Sequence, residues 1–325
     1  MQLEDIRDLV REDLQSLDRT ILDRLASDVV LVNQVANYII AGGGKRLRPL
    51  LVVLGARACG YEGGRHVEAA AIVEFIHTAT LLHDDVVDSS ELRRGKDTAN
   101  SVFGNEASVL VGDFLYSRAF QMITQVGRER VLETLANATN VIAEGEVLQL
   151  MNCGDPDTTE DRYLDVIRRK TAMLFEAGTR IAAILAEQPR EIEDALAEYG
   201  QRLGVAFQLV DDVLDYRGDT DEMGKNMGDD LAEGKPTLPL IYTMHNGDDG
   251  VRGVIRKAIE NGGDGVDVDV EQITAAIGAS GGLDYAYEMA EKEAAAAVEA
   301  LSVLPDTPFR TALESLTRIA VERSS

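Results

Sequence analysis

Several features that define protein classes are scarce in this chain. Cysteine is limited to Cys59 and Cys153, with no CxxC pair, so we expect free, structural thiols in a reducing compartment. No apolar run approaches the length of a membrane span. The opening residues, MQLEDIRDLVREDL, lack the basic start and apolar run of a signal peptide, which favours a cytoplasmic location.

Lysine is also scarce, with seven residues against 25 arginines, and the net charge is −25. Such an acidic chain is a poor partner for nucleic acid or for anionic lipid surfaces. The composition resembles adaptation to high salt. Lysines that are retained despite this bias are candidates for functional residues. Four of them lie beside motif-like sequence: Lys45, Lys170, Lys225 and Lys235.

No run of alternating β-branched residues is long enough to require a sheet, whereas apolar residues recur at helical spacing throughout. We therefore predict an all-α fold, a single-domain bundle of about a dozen helices over residues 1–325 around a central cavity, because no Pro- or Ser-rich linker separates two halves. The most continuously hydrophobic stretches, expected to be the central helices, are 66–87, 106–126, 129–151 and 198–215.

The pattern DDxxD occurs twice, at residues 84–88 and at residues 211–215. Residues one helical turn apart share a face, so Asp84 and Asp88 project together, as do Asp211 and Asp215. Hard divalent cations such as Mg2+ prefer carboxylate oxygens and commonly bridge to phosphates. Two such helix faces turned toward each other predict a site for a metal–diphosphate cluster. The alternative is a pair of solvated acidic helix ends on an acidic protein.

Basic residues accompany the first motif. The segment AGGGKRLRP places Lys45, Arg46 and Arg48 after three glycines and before a helix, which suits an anion. It is not a Walker loop, since Ile39 and Arg46 replace residues that such a loop needs. His77 precedes Asp84 by two helical turns and so lies on the same face.

Further cations follow in the sequence. Arg93 and Arg94, in the loop after the first motif, suit bidentate contacts with diphosphate oxygens. The remaining candidates are Lys170 and Thr171 in RRKTAMLFEAG, Gln208 one turn before the second motif, and Lys225 and Lys235 just after it.

Taken together, these motifs resemble the trans-type polyprenyl diphosphate synthases from end to end, and most closely the bacterial octaprenyl diphosphate synthases. The resemblance is carried by EFIHTATLLHDDVVD, ASVLVGDFLYSRAFQM, EGEVLQLMN, GKNMGDDLAEGKPTLPL and VLPDTP. One departure is Asp97, at a position where the family more often has a small residue or proline.

The resemblance implies a prenyltransferase that adds isopentenyl diphosphate units to an allylic diphosphate such as farnesyl diphosphate, for a quinone side chain. It implies three Mg2+ ions per active site, a homodimer, and peripheral membrane contact at product release.

The resemblance also implies which residues form the site. The residues that would bind the diphosphate of isopentenyl diphosphate are Lys45, Arg48, His77 and Arg94. Those that would bind the allylic diphosphate are Arg93, Lys170, Thr171, Gln208, Lys225 and Lys235. The metal ligands would be Asp84, Asp88 and Asp211, with Asp85, Asp212 and Asp215 in supporting or water-mediated roles. The catalytic set is Asp84, Asp88, Asp211, Lys170 and Lys225.

Product length in the family depends on the depth of an apolar tunnel. Short-chain relatives tend to have an aromatic residue five positions before the first motif, where this chain has Ala79, followed by Thr80. These small residues leave the tunnel open and favour a long product. Candidates for a deeper floor are Phe120, Met122 and Ile123, although ordinary core packing explains each equally well.

Several alternatives stay open. A shorter-chain synthase making geranylgeranyl or farnesyl diphosphate has the same motifs, and Ala79 is the discriminating residue. A non-catalytic subunit of a heteromeric synthase typically lacks some motif residues, and none is missing here. A class I terpene cyclase lacks the GGGKRLRP segment, and a plain acidic scaffold does not explain the joint placement of motifs and cations.

Overall fold

The computed structural model describes residues 1–42, 44–93, 95–217, 228–262 and 270–322. Helices follow one another through short turns, and the only strands within these residues are a two-residue antiparallel pair, in which Arg93 faces Lys96. The prediction of an all-α protein is confirmed.

The elements up to the middle of the chain are α1 (Leu3–Leu9), α2 (Arg11–Leu25), α3 (Val30–Ala41), α4 (Leu47–Ala58), α5 (Arg65–Val87), β1 (Leu92–Arg93), β2 (Lys96–Asp97), α6 (Ala99–Phe103), α7 (Asn105–Val126) and α8 (Glu129–Asn152). The elements that follow are α9 (Glu160–Ile167), a π-helical turn (Arg168–Ala172), α10 (Met173–Leu185), α11 (Arg190–Arg217), α12 (Asp229–Ala232), α13 (Leu238–Asn246), α14 (Asp249–Asn261), α15 (Val270–Ser280), α16 (Gly282–Ala300), a 3-10 turn (Leu301–Val303) and α17 (Pro308–Val321).

The four stretches predicted as central helices all lie within long helices, namely α5, α7, α8 and α11. Only α11 differs appreciably, since it begins at Arg190 rather than near residue 198. Its first two turns are rich in acidic residues, so the apolar pattern alone did not reveal them.

The backbone divides into two compact units, each assembled from separate stretches of chain. The first unit comprises Met1–Thr139, Leu174–Gly200 and Ala300–Leu316, and the second comprises Asn140–Met173, Gln201–Glu299 and Thr317–Ser325. The single domain over residues 1–325 stays a prediction.

Helix α5 is the core of the first unit. It is apolar on nearly every side, as expected for a helix surrounded by others, and Phe75, Ile76, Ala79 and Leu82 are fully buried. It packs against α2, α4 and α7, and the Ser108 hydroxyl of α7 donates a hydrogen bond to the Leu82 carbonyl at 3.0 Å. This packing fixes the helix whose last turn carries the first acidic motif.

Helix α9 begins the part of the second unit that carries the predicted cations. The Thr159 hydroxyl accepts a hydrogen bond from the Arg162 backbone N–H, and Glu160 and Asp161 lie in the first turn, where negative charge is favourable. The opposite face of α9, with Tyr163, Leu164 and Ile167, is buried against α11 and α16. The helix then runs directly into the π-helical turn.

Candidate active site

The first acidic motif lies at the carboxyl end of α5. Asp84 and Asp88 are half-buried one turn apart, and the Asp88 N–H donates to the Asp84 carbonyl at 2.8 Å as the helix ends. The predicted shared face is therefore present. Asp85 differs, since only 1% of it is exposed.

Asp85 is held by the segment that follows the motif. Arg93 donates from Nε and Nη2 to Asp85 Oδ1 at 2.9 and 2.6 Å, and the Asn100 amide donates to the Asp85 carbonyl at 3.1 Å. The other carboxylate oxygen, Oδ2, is buried and has no hydrogen-bond partner among the residues that the structure describes. Arg93 thus contacts the motif itself, while Arg94 lies outside the described residues.

Arg48 and His77, which are distant in sequence, lie together in the first unit. Arg48 Nη1 is 3.1 Å from His77 Nε2, and the Arg48 guanidinium lies 4.5 Å from the centre of the Phe175 ring. An arginine N–H can only donate, so Nε2 accepts and the neutral imidazole carries its proton on Nδ1. Two of the four residues predicted to bind isopentenyl diphosphate are thus adjacent.

The neighbouring basic residues are arranged differently. Lys45 is exposed, and its carbonyl accepts a hydrogen bond from Arg7 at 3.0 Å. Arg46 adopts a left-handed backbone conformation, with φ of 45°, and pairs with Asp18. Arg46 therefore forms an ion pair with a residue of α2.

In the second motif, Asp212 is the centre of a buried hydrogen-bond chain. The Gln208 amide donates to Asp212 Oδ1 at 2.8 Å, and the Tyr163 hydroxyl donates to Oδ2. The Thr171 hydroxyl in turn donates to Gln208 Oε1 at 2.9 Å. Predicted residues Thr171, Gln208 and Asp212 are thereby linked in one chain, which joins α11 to the π-helical turn.

The pKa of Asp212 is raised to about 8, first because the carboxyl is buried and then because Asp230 is close. The hydrogen bonds from Tyr163 and Gln208 oppose this rise. The pKa of Tyr163 is also raised, by burial and by the neighbouring Asp212. A cation bound near this carboxyl would favour its charged form.

Asp230 was not among the predicted site residues. Its backbone N–H donates to Asp215 Oδ2 at 3.3 Å, and its charge acts on Asp212. The sequence signal for Asp230 is the acidic pair in GKNMGDDLAEGKPTLPL. The lysines of this segment are predicted site residues, and its acidic residues are not. Tyr163 was missed as well, because a lone tyrosine on an amphipathic helix predicts only core packing.

Two of the predicted lysines of the second unit form ion pairs with acidic residues. Lys170 Nζ lies 2.6 Å from Glu146 Oε2, and Lys235 pairs with Glu233. Lys225 falls outside the described residues. Glu146 is a further residue of this site that the sequence did not single out.

The predicted chain-length residues lie in the first unit. Ala79 and Met122 are fully buried, as is Ile123, while Thr80 is half-buried and donates to the His77 carbonyl at 2.8 Å. Their burial is compatible with both core packing and a tunnel lining, so their role stays a prediction. Asp97 is exposed, and its carbonyl accepts a hydrogen bond from the Tyr38 hydroxyl at 2.8 Å.

The acidic side chains of the two motifs suit a divalent cation. The donors are carboxylate oxygens, which suit Mg2+ and Ca2+, and the buried Oδ2 of Asp85, which accepts no hydrogen bond from the described residues, adds a further oxygen. No three acidic, histidine or cysteine side chains within the described residues already form a metal cluster. The donor set fits a hard cation such as Mg2+, which commonly keeps water or substrate oxygens among its ligands.

Two further expectations concern the chain as a whole. Neither cysteine forms a disulfide, and burial raises the pKa of the Cys59 thiol to about 12, which agrees with a structural thiol. Among the helices described, none combines the length and the apolar character needed to cross a bilayer.

Comparison with known proteins defines the class to which this fold and these motifs correspond. Residues 29–277 match the family described as polyprenyl synthetase. The chain belongs to this family, and the resemblance found in the sequence is confirmed.

Particular relatives extend the similarity over nearly the whole chain. The octaprenyl diphosphate synthase of Escherichia coli K12 is 56% identical over 323 residues, 99% of each chain. The all-trans-nonaprenyl-diphosphate synthase (geranyl-diphosphate specific) of Rhodobacter capsulatus is 46% identical over 321 residues, 98% of each chain. A polyprenyl synthase from Caulobacter crescentus CB15, crystallised with calcium and isoprenyl diphosphate, superposes with a TM-score of 0.96 at 44% identity, covering 100% of this chain and 98% of that one.

Proposed function

We propose that this chain is a long-chain trans-polyprenyl diphosphate synthase that condenses isopentenyl diphosphate with an allylic diphosphate. The observation that carries the proposal is the 56% identity with an octaprenyl diphosphate synthase over 99% of both chains. Both acidic motifs are intact, which argues against a non-catalytic subunit.

The chemistry begins with cleavage of the allylic carbon–oxygen bond, which leaves a delocalised carbocation and a pyrophosphate anion. The double bond of isopentenyl diphosphate attacks the cation, and the condensed cation then loses a proton to the released pyrophosphate, which completes the step. Because negative charge develops on the leaving group, fixed positive charges nearby lower the barrier. Lys170, Lys225 and Lys235 supply such charges, and Thr171 and Gln208 orient the same substrate.

The second substrate is held through its own diphosphate. Arg48 is already oriented by His77 and by the Phe175 ring, so its donor fork loses little freedom when an anion binds. Lys45 adds a further positive charge. Arg94, which follows Arg93 in sequence, completes this set.

Asp84, Asp88 and Asp211 would hold Mg2+, with Asp85, Asp212 and Asp215 supporting them. When bound, the cations neutralise diphosphate charge and assist departure of the leaving group. The calcium and isoprenyl diphosphate in the Caulobacter crescentus polyprenyl synthase support this assignment. Three ions per active site is the stoichiometry that we propose.

The product that we propose is of octaprenyl length, for a quinone side chain. The support is the identity with the Escherichia coli enzyme and the small, fully buried Ala79. The nonaprenyl name of the Rhodobacter capsulatus relative makes a slightly longer product the main competing outcome. Farnesyl diphosphate as primer, the homodimer, the cytoplasmic location and peripheral membrane contact at product release stay predictions.

A matched pair of variants tests the metal chemistry. Asp211→Asn should lower elongation of farnesyl diphosphate at least about a hundredfold, the scale on which one electrostatic contribution in a preorganised site acts. Asp157→Asn removes the same charge from an exposed ion pair with Arg256 and should leave the rate unchanged. Elongation by the wild-type chain that persists in excess EDTA, or an equal effect of both variants, would contradict the metal assignment.

A further inference from the structure

The backbone of helix α8 at Gly145 lies directly against the backbone of the π-helical turn. A Cβ atom built on Gly145 would lie 2.7 Å from the Lys170 backbone nitrogen and 2.8 Å from Arg169 Cβ. Only glycine fits such an approach. The side chains on either side of Gly145 are therefore brought directly against the turn.

Those flanking side chains are Glu144 and Glu146. Each forms an ion pair with one of two consecutive basic residues, Arg169 and Lys170. Glu146 Oε2 lies 2.6 Å from Lys170 Nζ, with side-chain exposures of 30% and 18%. Glu144 Oε2 lies 3.0 Å from Arg169 Nη1, with exposures of 53% and 36%. The two ion pairs join the same two elements, but the pair made by Glu146 is the less exposed one.

π-helical turns insert an extra residue and often mark functional sites. Here the turn directs Lys170 to Glu146, while the next residue, Thr171, donates to Gln208. Adjacent residues of the turn are thus fixed by two different helices, α8 and α11. A lysine side chain otherwise has large rotational freedom, and an ammonium group has three donors. A charged acceptor such as Glu146 therefore fixes the direction of the Lys170 ammonium group relative to the turn.

We propose that Glu146 is a positioning residue for the reaction, which holds the Lys170 ammonium ready for the allylic diphosphate. This inference rests on the proposed function, in which Lys170 binds that diphosphate. Because the lysine is already oriented, less conformational freedom is lost on binding. Glu144 makes the equivalent contact outside the predicted site and has no such role.

The test is the affinity of the full chain for Mg2+-pyrophosphate, measured by titration calorimetry, together with KM for farnesyl diphosphate and for isopentenyl diphosphate. We expect Glu146→Ala to weaken Mg2+-pyrophosphate binding about three- to tenfold, the effect of one side chain that must be immobilised on binding. KM for farnesyl diphosphate should rise in parallel, and KM for isopentenyl diphosphate should not. Glu146→Gln, which retains an acceptor oxygen, should restore most of the affinity. Glu144→Ala should match the wild type.

A double-mutant cycle with Lys170→Ala separates positioning from general packing. If Glu146 acts through Lys170, Glu146→Ala has no further effect on affinity once the lysine is removed. A loss that persists without Lys170, equal losses for Glu144→Ala and Glu146→Ala, or tighter binding by Glu146→Ala would each overturn the inference. If Glu146→Ala does not fold, Glu146→Met removes the acceptor while keeping the apolar stem. A wild-type chain that neither binds Mg2+-pyrophosphate nor elongates a primer would instead overturn the proposed function.

Discussion

Replacing Arg93 by lysine isolates the geometry of one contact, because it keeps the charge and removes the guanidinium fork. Arg93 donates two hydrogen bonds to one oxygen of Asp85, and lysine, with a single nitrogen, cannot reproduce both. A hydrogen bond to a buried charged group contributes about 1.5–3 kcal/mol. Because 28% of the Arg93 side chain is exposed, water compensates part of the loss, and we expect the free energy of unfolding to fall by about 1–2 kcal/mol.

The measurement is urea-induced unfolding of wild type, Arg93→Lys, Asp85→Asn and the double variant. The cycle should give an interaction energy of about 1 kcal/mol. Lys96→Met, on the facing strand and exposed, is the control and should change stability by less than about 0.5 kcal/mol. Arg93→Lys should also raise KM for the allylic substrate. Wild-type stability in Arg93→Lys together with a zero interaction energy would refute the importance of this contact.

Three further predictions follow from other parts of the chain. Glu193, 1% exposed, pairs with three arginine side chains, so Glu193→Ala should lower the free energy of unfolding by about 2–4 kcal/mol in urea titrations. Asp194→Ala, at a carboxylate that is 62% exposed, should cost less than about 0.5 kcal/mol, and equal costs would contradict the buried-charge argument. Burial lowers the pKa of His66 below its ordinary value of 6.5, so the unfolded chain binds the proton more readily. Stability should be full above about pH 6.5 and fall as the pH drops below it, by up to about 1.4 kcal/mol per unit. His66→Phe should remove this dependence, and an unchanged pH profile in that variant would be inconsistent with it. Finally, Ala79→Phe should shorten the polyprenyl product when the dephosphorylated chains are sized, and unchanged length would count against a tunnel past this residue.

The sequence was most informative where function depends on spacing within one helix. The apolar periodicity located α5 and α7 almost to the residue, and the one-turn spacing of Asp84 and Asp88 gave their shared face directly. Such inferences succeed because helical geometry is local and regular.

Contacts between distant segments were not predictable in the same way. Spacing alone could not show that Tyr163 reaches Asp212, or that Glu146 meets Lys170, because these depend on how separate helices pack. The π-helical turn has no simple sequence signal either. Gly145 is the residue that, in retrospect, indicated a close backbone approach, since glycine inside a helix otherwise costs stability.

The central claim is that this chain elongates allylic diphosphates to long polyprenyl products. The most direct test is to incubate the purified protein with farnesyl diphosphate, labelled isopentenyl diphosphate and Mg2+ at several salt concentrations, and to size the dephosphorylated products. We predict a ladder that ends at octaprenyl length. A ladder that stops at geranylgeranyl length would contradict the product assignment while keeping the chemistry. Folded protein that makes no elongated product at any salt concentration would contradict the claim itself.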